Sequence, residues 1–173
     1  MIFLYILGVI VVVLIVLMAF APKHYAVSRS ITIARPRAEV YAYVKSVKNQ
    51  DNWSPWKKKD PEMKQSFEGE DATVGFISRW EGNKDVGTGE QEIVKLVENE
   101  RLETHLRFFK PWKSESNAFI SCADDGQGTK VTWGFSGTHK VPANVFMMFL
   151  NMDKMVGKDF DEGLNNLKEI LES

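Results

Sequence analysis

What this 173-residue chain lacks already narrows its function. It has one cysteine, Cys122, so it cannot close an internal disulfide, which suits a reducing compartment. Its three histidines, His24, His105 and His139, stand far apart, and none lies at metal-ligand spacing from Cys122. It has no excess of charge of either sign: 22 basic and 23 acidic side chains give a formal net charge of −1. Nucleic acid is therefore not an expected partner, because phosphate binding needs a net basic surface or patch. Gly87-Thr88-Gly89 lacks the third glycine and the following helix of a phosphate loop. Gly134-Phe135-Ser136-Gly137 falls one residue short of a nucleophile elbow and reads as a strand end. Asp124-Asp125-Gly126 is too short for a calcium loop and reads as a hairpin tip. No metal, cofactor or catalytic constellation is expected.

The charge is absent from one end altogether. Every charged residue lies beyond Ala21, and within residues 1–21 only Gly8 is not hydrophobic. Ile2 to Ala21 is an unbroken apolar run. At 1.5 Å per residue, about 20 helical residues cross the hydrocarbon core of a bilayer. Ala19-Phe20-Ala21 resembles a signal-peptide cleavage pattern, but no Lys or Arg precedes the run and Pro22 would follow the cut. The expectation is a retained transmembrane anchor over residues 1–22 and a soluble domain over 23–173. Lys23, Arg29, Arg35 and Arg37 follow the run closely, and the positive-inside rule then places the domain in the cytoplasm.

Beyond Pro22 the hydrophobic period changes. Val27, Arg29, Ile31 and Ile33 alternate with Ser28, Ser30 and Thr32, a strand pattern. Pro36 ends it, and Val40, Tyr43, Val44 and Val47 then recur at helical spacing within a short helix over 38–47. Residues 49–61 read as a loop carrying Trp53 and Trp56. Strands follow over 63–67, 74–80, 87–97, 101–109, 114–123 and 129–138, and no helix-length segment separates them. The sheet should therefore be antiparallel. The last element is a long amphipathic helix over 141–172, with Val145, Phe149, Met152, Val156, Phe160, Leu164, Leu167 and Leu171 in one stripe. A curved antiparallel sheet and one long helix pack economically with the sheet wrapped around the helix, and that leaves room for a pocket between them.

Ile31-Thr32-Ile33-Ala34-Arg35-Pro36, Trp53-Ser54-Pro55-Trp56, Gly87-Thr88-Gly89-Glu90, Gly128-Thr129-Lys130-Val131-Thr132-Trp133 and the terminal run from Gly157 to Lys168 form a recognisable set. Together they resemble the START-related (SRPBCC) helix-grip superfamily, which includes polyketide cyclase-like proteins, lipid-transfer START domains and birch-pollen-allergen-like proteins. The last two segments are similar to the bacterial polyketide cyclase/dehydrase-like branch. The resemblance covers residues 25–172. It implies an α+β helix-grip fold, a curved antiparallel sheet wrapped around a long C-terminal helix, with a mostly apolar internal cavity. It does not imply a reaction, since one fold hosts many functions.

The expected ligand-contacting residues are Trp53, Trp56, Phe76, Trp80, His105, Phe108, Trp133, Phe149, Met152 and Phe160. Most are aromatics with broad apolar faces, and the tryptophans add a polar N–H. His105 alternates with Glu103 and Arg107, so it lies either on a solvated sheet face or in the cavity as a polar group. Two loops combine aromatics with lysines, Trp53 to Lys59 and Phe108 to Lys113, and either could meet a membrane surface. The function expected is membrane-anchored binding or transfer of a small lipophilic molecule. One alternative is a cyclase or dehydratase using His105, Glu90 or Arg107 as acid/base groups, which requires those groups to converge inside the cavity. Another is a protein-interaction module, which requires a large exposed apolar patch. The sequence names no protein partner.

Overall fold

In the computed structural model, residues 2–126, 128–139, 141–142, 144–145 and 151–173 are described. The first element, α1 (Ile2–Phe20), is a helix long and apolar enough to cross a membrane, and none of it is buried against the rest of the chain. After three intervening residues the chain enters β1 (His24–Ile33), then α2 (Arg37–Val44), which starts directly after Pro36. The segment read as a loop holds two short helices, α3 (Gln50–Trp53) and α4 (Pro55–Lys59). Ser54 separates them because its backbone is extended, and Pro55 then occupies the first position of α4, where its missing N–H costs nothing.

Six further strands follow: β2 (Lys64–Glu68), β3 (Ile77–Glu81), β4 (Thr88–Val97), β5 (Arg101–Lys110), β6 (Ser114–Asp124) and β7 (Thr129–Thr138). They form one sheet of seven strands in the order β1-β7-β6-β5-β4-β3-β2, every pair antiparallel. The last helix, α5, runs Met152–Glu172. The expected start at Val141 is therefore corrected. Asn151 has an extended backbone, and its side chain accepts from the Lys154 N–H, an N-cap that begins a new helix there.

The inner face of the sheet follows the period-two alternation. Val27 and Ile33 of β1, Ile93 of β4, Leu102 and Thr104 of β5, Ala118, Ile120 and Cys122 of β6, and Val131, Trp133 and Phe135 of β7 are all buried. Helix α5 lies along β1 and β7 and buries Gly157, Phe160, Gly163, Leu164, Leu167 and Leu171 against them. Its approach is close because two contact positions are glycine. A Cβ at Gly163 would stand 2.8 Å from the Trp133 ring. The α5 helix thus covers one half of the sheet, and α3, α4 and the chain leading to β2 close over the other half.

Candidate functional site

The space between sheet and α5 is filled by aromatic rings. Trp133 of β7 stacks on Phe160 of α5 with centroids 4.2 Å apart. Trp53 meets Trp133 edge-on at 4.8 Å, and Trp56 meets it edge-on at 5.3 Å. Trp53, Trp133 and Phe160 are buried in this core, as is Phe76, which stacks on Phe67. Met152 packs against the same core.

The cavity lies beside this core, under α3 and α4 and above β3, β4 and β5. Its volume is about 130 Å³. Trp56, Trp80, Leu106 and Phe108 form apolar walls, with Val47, Met63 and Val86. Trp80 and Phe108 meet edge-to-face at 5.7 Å. Polar groups enter from both sides: Gln50, Asp51, Ser54 and Lys57 from the short helices, and Gln65, Ser78 and Gln91 from the sheet. The Gln65 amide donates to Asp51 Oδ1 at 2.9 Å, and the Gln91 amide donates to Thr104 Oγ1 at 3.1 Å. Both side chains are thereby held in fixed orientations beside the apolar walls.

Two glycines shape this site. Gly87 has φ +75°, and a Cβ there would meet the Lys110 carbonyl oxygen. Gly89 lies under the Trp80 indole, where a Cβ would stand 2.6 Å from Cζ2. The missing side chain at Gly89 thus gives the Trp80 ring its place beside the cavity.

The expected ligand-contacting residues divide by position. Trp56, Trp80 and Phe108 line the cavity; Trp53, Phe76, Trp133, Phe160 and Met152 belong to the aromatic and apolar packing beside it. Phe149 lies outside the described residues. His105 is corrected: it stands on the outer face of the sheet, because Leu102, Thr104, Leu106 and Phe108 take the inner positions of β5. There its Nε2 lies 3.3 Å from Glu115. Glu90 and Arg107 share that outer face. Arg107 donates to Glu90 at 2.6 Å and to Glu92 at 2.7 Å, and Arg79 donates to Glu90 at 2.9 Å. Partial burial tends to raise the Glu90 carboxyl, but the bonds from Arg107 and Arg79 outweigh it and hold the group below its ordinary range. His105, Glu90 and Arg107 therefore do not converge in the cavity, as the acid/base alternative requires.

Gln65, Ser78 and Gln91 were not singled out by the sequence reading. Gln91 carries a usable signal: it shares its face of β4 with Gly89 and Ile93, so a polar side chain stands in an inward register.

An antiparallel sheet gripping a C-terminal helix, with a small mixed cavity beside the grip, defines the START-like helix-grip class. The chain belongs to the polyketide cyclase/dehydrase and lipid transport family, whose model matches residues 24–172. No curated protein matches it. Solved structures share its fold at low identity. A protein of Thermobifida fusca is 20% identical with a TM-score of 0.61, over 84% of this chain and 92% of its own. The Aha1 dimer of Colwellia psychrerythraea is 17% identical with a TM-score of 0.59, over 86% and 96%. A protein of Chromobacterium violaceum is 14% identical with a TM-score of 0.61, over 86% and 97%.

Proposed function

We propose that this protein is a single-pass membrane protein whose domain, residues 23–173, binds a small lipophilic molecule taken from or delivered to the bilayer. Residues 1–22 are its anchor, and the domain lies on the cytoplasmic side, the side favoured by Lys23, Arg29, Arg35 and Arg37. The observation that carries the reading is the cavity itself: aromatic walls from Trp56, Trp80 and Phe108, with the fixed amides of Gln65 and Gln91 beside them. Such a lining holds an apolar body and orients it through one or two polar atoms.

The volume limits the ligand. Pockets that enclose drug-sized molecules measure about 300–1,000 Å³, whereas a cavity of about 150 Å³ accepts benzene. At about 130 Å³ this cavity takes one ring, or the end of a longer lipid, quinone or polyketide-like molecule whose remainder stays outside. The membrane supplies the apolar surroundings for that remainder.

Titration of the full chain in detergent with 1-naphthol, followed by tryptophan fluorescence, tests the reading. Saturable quenching, lost in Ser78→Phe, supports it. Linear, unsaturated quenching that is equal in both proteins contradicts it.

A further inference from the structure

The strand register places one edge of the domain beside the end of α1. Asn144 donates through Nδ2 to the Met18 and Ala21 carbonyls, at 3.1 and 3.3 Å, so the last turn of α1 is fastened to the segment that follows β7. His24 pairs with Thr138, Gly137 pairs with Ser116, and Ser114 pairs with Phe108. The start of β1, the end of β7, the start of β6 and the end of β5 therefore share one edge. The β5–β6 hairpin tip, residues 110–114, projects from it. Two strand spacings separate β1 from β6, about 10 Å.

That tip has the composition of a membrane-interface anchor. Among the described residues beyond α1, the exposed aromatics are Trp112 at 74%, Phe109 at 43% and Phe67 on β2. Lys110 and Lys113 flank Trp112 and are both exposed. The opposite edge has no such tip: its turns carry Glu98 and Glu100 between β4 and β5, and Asp124 and Asp125 at the end of β6, with Lys45 paired to Glu98 and Arg37 to Asp124. The residues that lead from that first edge into α5, 141–152, carry no charge, and Val141 among them is half exposed.

We propose that this edge rests on the bilayer that holds α1, with Trp112 and Phe109 in the interfacial layer and Lys110 and Lys113 against anionic phospholipid headgroups. Tryptophan favours that layer because its ring is apolar and its N–H stays wet. Lysines beside it gain from the negative surface potential. Phe108, which walls the cavity, is the neighbour of Phe109, so the cavity and the docked edge lie at the same end of β5. The inference rests on reading α1 as a membrane span.

The test uses the full chain in nanodiscs of phosphatidylcholine and phosphatidylserine containing acyl-brominated lipid. In a Cys122→Ala background that keeps Trp112, bimane is attached to the exposed Ser114→Cys on the same tip or, as the far-edge control, to Asp125→Cys. Quenching several-fold stronger at 114 than at 125, and reduced by adding Lys110→Glu and Lys113→Glu, supports the docking. Equal quenching at both positions overturns it and leaves the anchor intact, provided the chain still floats with the membrane after alkaline carbonate. Loss of flotation overturns the span and the docking together. Strong quenching at 114 that is unchanged by the two Glu substitutions overturns the assignment to anionic headgroups.

Discussion

The guanidinium of Arg29 occupies the space that a side chain at Gly157 would fill. It donates to Asp153 at 2.8 Å and to Asp161 at 3.2 Å, one turn to either side of the glycine. A basic residue can therefore sit on the inner face of β1 because α5 offers it a gap and two carboxylates. In an ordinary helix Gly→Ala stabilises by about 1 kcal/mol. Here the methyl displaces the guanidinium, the flexible end of a partly exposed side chain, so Gly157→Ala should fall short of that gain by what the broken pairs to Asp153 and Asp161 contributed. Urea unfolding of the full chain in detergent reads the shortfall directly.

The same contact predicts an acid response. The hydrogen bonds from Arg29 hold the Asp153 carboxyl below its ordinary 3.8. A carboxylate held low stabilises the fold above its unfolded-state pKa, and that contribution disappears as the pH falls through the folded-state value. Asp153→Asn should therefore be less stable than the natural chain at neutral pH. The gap should close as the pH falls below 3.8. Unfolding curves at several pH values check this.

Cys122 responds at the other end of the scale. Burial pushes its thiol from 9.0 up to about 11. Its contribution is complete below pH 9 and is lost as the pH rises through 11. Over that interval the natural chain should lose stability faster than Cys122→Ala, by about 1.4 kcal/mol per pH unit. The folded protein should also resist maleimide at pH 8 and react once unfolded.

Two tryptophans should behave as opposites. Trp56 walls the cavity and packs edge-on against Trp133 and Phe160. Trp56→Ala should cost about 3 kcal/mol and abolish naphthol binding. Trp112 stands on the exposed hairpin tip. Trp112→Ala should change stability by less than about 0.5 kcal/mol and leave naphthol binding unchanged.

The sequence carried the architecture well because its periods are clean. Alternation in β1, β5 and β7 and the stripe from Phe160 to Leu171 each specify one buried face, and together they specify a sheet around a helix. The start of α5 was less legible, since an apolar stripe continues through Met152 and only the cap at Asn151 marks the boundary. Helices α3 and α4 escaped because each is barely one turn long and held by tertiary packing rather than by periodicity. The site was only partly legible. Aromatic residues announce apolar surroundings but not whether a ring faces a cavity or another ring, and Trp53 and Trp133 differ from Trp80 only through which neighbours fold back onto them. The place of His105 was legible in principle, because Leu102, Leu106 and Phe108 claim the inner face of its strand.

The central claim is that the cavity holds part of a lipophilic molecule. Organic extraction of the full chain, purified in nanodiscs from its native type of host, followed by mass spectrometry, tests it most directly when Ser78→Phe is carried in parallel. Ser78 lines the cavity and is buried, and a phenyl group there fills the space. The account predicts one lipophilic species in near-stoichiometric amount from the natural chain and its absence from a folded Ser78→Phe protein. The same lipid mixture recovered from both would contradict it.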